Sequence, residues 1–285
     1  MEYKSIIYDR YGTDDRIGRV TLNRPEKLNA LSQELLTELE EALRLAAWDD
    51  GVRVIVIRGS GRGFGAGYDL APSPGGGSGY EGITSRLTGS RKGLQEGARR
   101  QMFIFNLPKV VITQVHGYCL AGSCEHAMMA DLVIAAENAK IGHPGVRGLG
   151  HPRNSCIWPM VMGMRKTKEL MYTGDAISGT EAAEIGMINR AVPEDSLEEE
   201  VTRLAERIAN QSADALAIHK EALNRWYQAM GMESSVMAAA DYDYMYQASQ
   251  SAAEFNAKVR DAGLKEAFTW RDTPYQDLRG TGKER

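Results

Sequence analysis

The stretch that decides the fold is His116-Gly-Tyr-Cys-Leu-Ala-Gly-Ser-Cys-Glu-His-Ala-Met-Met-Ala-Asp131, which continues into Leu-Val-Ile-Ala. It follows the β-branched run KVVITQV at 109–115, and this pattern predicts a strand, a tight turn, a helix and a second short strand. Gly117 and Gly122 leave the main chain bare at the turn and at the helix start. Because the first N–H groups of a helix lack intrahelical partners, this backbone can bind a carbonyl oxygen that gains charge.

Glu125 lies three residues after Gly122, on the same face of the predicted helix. A carboxylate in this position can reach the carbon beside the bound carbonyl, which makes Glu125 the strongest candidate for proton transfer. The alternative is a structural carboxylate that caps a neighbouring N–H group. Gly122 has a plainer interpretation too, as a small residue at a tight packing point.

A second stretch, RGFGAGYDL at 62–70, follows the apolar strand pattern at 52–60. Together the two stretches resemble the crotonase (enoyl-CoA hydratase/isomerase) superfamily, whose signatures are F-x-A-G-x-D-[LI] and G-x-[AC]-x-G-G-G-x-E-[LH]-A-x-x-x-D. Ala121 and Ser123 replace two of the flanking glycines. The matching residues are Phe64, Ala66, Gly67, Asp69 and Leu70 in the first signature, and Gly117, Cys119, Gly122, Glu125, Ala127 and Asp131 in the second.

The resemblance implies an α/β fold with a repeated β-β-α core over 1–200 and a helical region over 201–285 that closes the pocket and builds a homotrimer or hexamer. It implies an enoyl-CoA hydratase/isomerase-like lyase of acyl-CoA and fatty acid metabolism. The N–H groups of Ala66 and Gly122 would form an oxyanion hole for a thioester enolate, with Glu125 as the acid/base. No cofactor is implied, because the substrate itself carries coenzyme A.

The family pattern also points to residues that bind the coenzyme A moiety. They are Lys27, Leu28 and Ala30, the main chain at Gly67, Tyr68 and Asp69, and Trp270 near the C-terminus. Lys27 can meet a phosphate as a point charge, although an exposed lysine is usually only solvated. Asp69 is expected to order its turn through local side-chain to backbone bonds.

One triplet departs from the hydratase pattern. Typical hydratases carry a second glutamate in a Q-P-E-like triplet, where this chain has His143-Pro144-Gly145. Gly145 has no side chain with which to move a proton, so a substitute is expected in the same loop. The candidates are His143, Arg147, His151 and Arg153, with His143 preferred because imidazole titrates near neutral pH; each histidine could instead be structural.

The departure leaves two further functions open. The first is a crotonase-fold hydrolase that cleaves a thioester or the carbon–carbon bond of a β-diketone with the His/Arg-rich loop at 143–153. The second is an acyl-CoA-binding protein without catalytic activity. Product analysis separates the first from a hydratase, and binding without turnover identifies the second.

Composition narrows the class of protein. The 285 residues are 43% hydrophobic and 25% charged, as in an ordinary globular protein. A net charge of −4 gives no general attraction to nucleic acid or anionic membrane. The three cysteines, Cys119, Cys124 and Cys156, fit no metal-binding spacing and read as reduced thiols. Without a signal peptide or a membrane-length apolar run, we expect a cytoplasmic protein with no nucleic-acid or membrane partner and no metal.

The remaining chain alternates strand and helix patterns. Residues 71–95 are rich in Pro, Gly and Ser and predict a mobile loop, either an active-site flap or a surface linker. The predicted strands lie at 4–9, 16–22, 52–58 and 109–115, and the predicted helices at 33–48, 92–105, 158–173, 178–186 and 195–210, followed by a helical tail at 212–268.

Overall fold

The structure, a computed structural model, describes residues 3–70 and 86–275. Within these ranges six strands form the main sheet, in the order β1-β2-β3-β4-β6-β9, and three more form a small sheet, in the order β5-β7-β8. The strands are β1 Ile6–Tyr11, β2 Ile17–Leu22, β3 Val54–Gly59, β4 Val110–Val115, β5 Tyr118–Leu120, β6 Leu132–Ala136, β7 Lys140–Gly142, β8 Ala176–Ser178 and β9 Arg190–Val192. Strands β1 and β2 form an antiparallel hairpin, and from β2 onward the main sheet is parallel.

Helices cover the main sheet and complete the C-terminal region. They are α1 Gln33–Trp48, α2 Arg86–Phe105, α3 Gly122–Ala127, α4 Ile157–Thr173, α5 Gly179–Glu184, α6 Leu197–Ala209, α7 Ala213–Ala229, α8 Met232–Gln247 and α9 Gln250–Asp272. The mixed α/β architecture with a C-terminal helical region confirms the predicted fold class.

The first crossover shows why these residues form these elements. Ser32 caps α1 by accepting a hydrogen bond from the Leu35 N–H at 3.2 Å, and the buried leucine stripe of α1 packs on the sheet. The β-branched run of β3 is buried almost throughout. A strand buried on both faces is typical of a parallel sheet covered by helices, so the prediction of a crossover unit is confirmed.

The predicted loop at 71–95 is partly wrong. Residues 71–85 lie outside the described ranges, but the residues that follow already belong to α2, which begins at Arg86 rather than near residue 92. Helix α2 packs along α8, and Arg91 forms an ion pair with Asp241 at 2.7 Å. Tertiary contacts therefore stabilise a helical start whose own sequence favours a loop.

Packing contacts and hydrogen bonds connect the C-terminal helices to the main sheet. The predicted division at residue 200 falls inside α6, whose buried side chains pack against the main sheet. From α7, Lys220 Nζ donates to Asp131 Oδ2 at 2.7 Å and to the Lys109 carbonyl at 2.9 Å. A search of the described residues for a helix both long and apolar enough to span a bilayer finds none.

Candidate active site

The two signature segments are brought together by β-pairing. After β3, the chain at Gly65 runs beside β5 and pairs with Cys119. The Gly65 N–H donates to the Tyr118 carbonyl at 2.7 Å, and the Leu120 N–H returns a bond to the Gly65 carbonyl at 3.0 Å. Since β5 leads directly into α3, this pairing places the 64–68 segment against the first turn of α3.

Glycine is required where the two segments meet. Gly67 has φ +105°, and a Cβ there would lie 2.8 Å from the Ala121 Cβ. A Cβ on Gly122 would lie 2.4 Å from Cε2 of Tyr68. Any larger residue at either position would therefore force the segments apart.

The two predicted backbone donors differ in their present partners. The Gly122 N–H has no acceptor among the described residues, whereas the Ala66 N–H donates to the Leu28 carbonyl at 3.0 Å. Ala121, just before α3, has φ 48° and ψ −127°, a backbone conformation that residues with a Cβ rarely adopt. The chain thus presents one free N–H at Gly122 and one at Ala66 that would have to share or exchange its acceptor.

Glu125 is buried, with 2% of its surface exposed, and its carboxylate meets four donors. His143 Nε2 lies 3.0 Å from Oε1, and Gln101 Nε2 lies 2.5 Å from Oε2. The Tyr68 hydroxyl lies 3.3 Å from Oε2, and the backbone N–H of Arg153 donates to the same oxygen at 3.4 Å. Burial raises the pKa of Glu125, but the His143 hydrogen bond and the Arg153 charge outweigh it, so the pKa falls to about 2.

The neighbours of His143 assign its tautomer. The Gly145 N–H donates to Nδ1 at 3.2 Å, so Nδ1 carries a lone pair and the proton resides on Nε2. That proton points at Glu125 Oε1, 3.0 Å away. Both ring nitrogens of His143 are therefore engaged, and the side chain acts on a substrate only through Glu125.

A second buried charge stands beside Glu125. The Arg153 guanidinium donates to the Tyr68 hydroxyl at 2.5 Å and to Asp243 Oδ2 at 3.2 Å, and its Cζ lies 4.6 Å from the Tyr68 ring centroid. Gly97 of α2 leaves room for it, because a Cβ there would lie 2.6 Å from Nη1. Burial raises the pKa of Asp243, and Arg153 opposes that rise.

His151 is held less completely than His143. Its Nε2 lies 3.0 Å from the Ser155 hydroxyl, and the backbone N–H of His151 donates to Asp243 Oδ1 at 3.0 Å. Its Nδ1 has no hydrogen-bond partner among the described residues. Burial lowers the pKa of His151, as does the nearby His143 ring, so the imidazole favours the neutral form.

These groups share one cavity of about 620 Å³. Of the predicted site residues, Ala66, Gly122, Glu125, His143, Lys27, Ala30, Tyr68 and Asp69 line it. Among the described residues, Leu28, Gly67 and Trp270 do not line the cavity. Trp270 is 45% exposed, whereas its neighbours Phe268 and Arg271 belong to the cavity wall. Asp69 accepts a hydrogen bond from Arg24 Nη2 at 2.9 Å, which ties its turn to the loop that carries Lys27.

The histidine- and arginine-rich loop contributes unequally. The cavity is lined by His143, His151 and Arg153. Arg147 is not part of the cavity wall that the described residues form; it holds the loop through an ion pair with Asp175 at 2.6 Å. A Cβ on Gly145 would lie 2.1 Å from the Gly150 carbonyl oxygen, and Gly145 is not part of the cavity wall that the described residues form. A glutamate at 145 would therefore not fit this loop conformation.

Two residues near Glu125 were not predicted as site residues from the sequence. Gln101 belongs to α2 and is fully buried, and nothing in its sequence neighbourhood marks it. The position of Asp243 could have marked it in the sequence. It lies on the buried face of α8, three residues after Ala240 and seven after Val236. A charged residue in an apolar stripe needs a buried partner, and Arg153 is that partner.

The cysteines and metal-binding groups add no further chemistry here. Cys119, Cys124 and Cys156 are free thiols. Across residues 3–70 and 86–275, no group of three or more His, Cys, Asp or Glu side chains is arranged to hold a metal ion.

Comparison with known proteins places this geometry among its relatives. The sequence profile of the family described as enoyl-CoA hydratase/isomerase matches residues 12–265. A crotonyl-CoA hydratase of Syntrophomonas wolfei is 33% identical over 232 residues, which cover 80% of this chain and 84% of that protein. The crystal structure of an enoyl-CoA hydratase from Mycobacterium smegmatis is similar with a TM-score of 0.87 and 32% identity, over 97% of this chain and 96% of that one. An enoyl-CoA hydratase/isomerase from Xanthobacter autotrophicus gives a TM-score of 0.85 and 33% identity, over 96% and 99% of the two chains.

Proposed function

This chain belongs to the enoyl-CoA hydratase/isomerase family, and we propose that it binds the thioester oxygen of an acyl-CoA on the N–H groups of Gly122 and Ala66. Glu125 then transfers protons at the carbons beside that thioester. The observation that carries the proposal is the Gly122 N–H, which has no acceptor among the described residues and belongs to the cavity wall next to Ala66, three residues before Glu125.

The acidity of Glu125 favours one direction of proton transfer. With a pKa near 2, the carboxylate is ionised at neutral pH and ready to accept a proton from water or from an acyl carbon. A substrate that displaces the Tyr68 or Arg153 donors would weaken this hold and raise the proton affinity of Glu125. The proposed chemistry needs no cofactor beyond the coenzyme A that the substrate carries.

Ala66 adds a requirement to the proposal. Its N–H donates to the Leu28 carbonyl, so a bound thioester oxygen must share or replace that bond. The Leu28 backbone has a left-handed conformation, with φ 50° and ψ 41°. A small movement of Leu28 when the coenzyme A moiety binds would release the second donor.

The test is turnover of short enoyl-CoA esters, with crotonyl-CoA first. A hydratase consumes the conjugated double bond and yields 3-hydroxybutyryl-CoA, both of which are followed by absorbance and mass spectrometry. No turnover across a panel of chain lengths, together with no binding of CoA esters by calorimetry, would contradict the proposal. Binding without turnover would identify an acyl-CoA-binding protein instead.

A hydrolase is the second candidate, and His151 is the observation that favours it. Among the described histidines that line the cavity, His151 alone keeps a ring nitrogen without a hydrogen-bond partner. A neutral imidazole there can take a proton from a water that attacks a carbonyl. A free acid or a ring-opened acid as the product would identify this activity, and His151→Ala would then abolish it.

A further inference from the structure

We propose that Tyr68 is a catalytic residue that donates the proton to C2 of the bound acyl-CoA, the task that a second carboxylate performs in a two-glutamate hydratase. This inference rests on the proposed function and deepens it, because it names the proton donor of the same site. It starts from three contacts of one hydroxyl group.

The neighbours of the Tyr68 hydroxyl fix the direction of its proton. Arg153 Nη1 at 2.5 Å and Gln101 Nε2 at 3.3 Å are both donors, so the phenol oxygen accepts from them with its two lone pairs. Its third neighbour, Glu125 Oε2 at 3.3 Å, is an acceptor. The single hydroxyl proton therefore points at Glu125.

The Tyr68 ring packs beside the proposed backbone donor of Gly122, and its hydroxyl reaches the proposed base Glu125. A Cβ on Gly122 would lie 2.4 Å from Tyr68 Cε2, 2.6 Å from Cδ2 and 2.7 Å from Cζ, so the Cδ2–Cε2 edge of the ring packs against the Gly122 main chain. A thioester oxygen on the Gly122 N–H would bring its C2 atom next to this edge. Tyr68 lines the cavity, and no other described residue of the wall carries a hydroxyl group.

The other groups of the site are less suited to this step. Both ring nitrogens of His143 are engaged. The guanidinium of Arg153 cannot release a proton in a protein. Burial raises the pKa of Tyr68, and the charge of Arg153, which donates to the phenol oxygen and stacks on the ring, opposes that rise and can stabilise a phenolate.

The proposed cycle balances atoms and charge. Water forms a bond to C3 and gives a proton to Glu125, while the double-bond electrons move into a thioester enolate held by the backbone N–H groups. Once Glu125 carries the water proton, its carboxyl group no longer holds the Tyr68 hydroxyl proton, which turns to C2 of the enolate and leaves its electron pair on the phenolate beside Arg153. The Glu125 proton then passes across the 3.3 Å contact to the phenolate, which restores both groups.

The experiment compares Tyr68→Phe with the wild type and with Tyr172→Phe, a control at a 70% exposed position of α4. Hydration of crotonyl-CoA and exchange of the C2 protons of butyryl-CoA in D₂O are both measured. We expect kcat and the exchange rate of Tyr68→Phe to fall by about 10²-fold or more, while KM changes little. The control should match the wild type.

A second variant separates catalysis from support of the fold. With 3-fluorotyrosine at position 68 the hydroxyl and its contacts remain but the phenol is more acidic, so a proton donor should change kcat and the exchange rate several-fold. Unchanged rates in that variant, or wild-type rates in a folded Tyr68→Phe protein, would overturn the role of Tyr68. Failure of the wild type itself to bind or convert CoA esters would overturn the proposed function instead.

Discussion

The two walls of the cavity are built in different ways. One wall, from the 65–67 segment and the start of α3, is made of main chain and small residues, and it includes the N–H of Gly122. The opposite wall, from the 143–153 loop, presents buried side chains: His143 is hydrogen-bonded to Glu125, and Arg153 forms an ion pair with Asp243. The first wall needs little beyond a correct backbone, whereas the second depends on partners from distant parts of the chain.

This difference indicates which wall of the cavity a single substitution can alter. A backbone N–H does not depend on the side chain unless proline replaces the residue, so the first wall keeps its donors as long as the backbone keeps its conformation. A wall of paired side chains can be altered by one substitution, but each substitution leaves a buried partner unsatisfied. Under the proposed function, the reaction on a bound thioester would therefore be set mainly by the second wall.

The largest expected effect comes from the residue that joins the two walls. Glu125→Gln keeps the side-chain shape but removes the base, so kcat for crotonyl-CoA should fall by roughly 10²–10⁴-fold. Glu233→Gln, at an exposed position of α8, is the matched control. A folded Glu125→Gln protein with wild-type turnover would show that the first wall alone performs the chemistry.

The charges of the second wall should dominate its stability. Asp243→Asn leaves the buried Arg153 guanidinium without its ion-pair partner, and urea unfolding should show a loss of about 3 kcal/mol or more. Asp241→Asn, two residues earlier on the same helix, breaks a partly exposed pair with Arg91, which water screens, and should cost much less stability. Equal losses in the two variants would contradict the prediction that the buried pair stabilises the fold more than the partly exposed pair.

The backbone wall could be predicted from the sequence, and the charged wall only in part. A glycine-rich turn between a strand and a helix is a local pattern, so Gly122 and Glu125 could be assigned from neighbouring residues. The contacts of Arg153 with Tyr68 and Asp243 join residues 85 and 90 positions apart. No local pattern encodes them, and the same holds for Gln101, which reaches Glu125 from a helix whose start was itself predicted as loop.

The pH dependence of stability offers a smaller test of the same wall. The pKa of Glu125 falls from its ordinary 4.5 to about 2 on folding, so its contribution is fully present above pH 4.5 and is lost as the pH falls toward 2. The shift corresponds to about 3 kcal/mol. The stability difference between the wild type and Glu125→Gln, measured in urea, should shrink as the pH is lowered through this window; a constant difference would contradict the depressed pKa.

The smallest expected effect concerns the backbone wall. Ala121 holds φ 48° and ψ −127° just before α3, and glycine adopts this conformation without the cost of a Cβ. Ala121→Gly should raise the free energy of unfolding by about 1 kcal/mol. Ala253→Gly, at an exposed site inside α9, should lower it by about 1 kcal/mol, so thermal melts of the two variants should shift in opposite directions.

The tie between α7 and the sheet has a consequence for how the chain is made. Asp131 Oδ2 accepts hydrogen bonds from the Val111 N–H and from Lys220, which follows 89 residues later. A ribosome that adds roughly 5–20 residues per second delivers Lys220 about 4–18 s after Asp131. For that interval the nascent chain carries the Asp131 carboxylate without its counter-ion, so this part of the sheet can reach its native electrostatic balance only after α7 has been made.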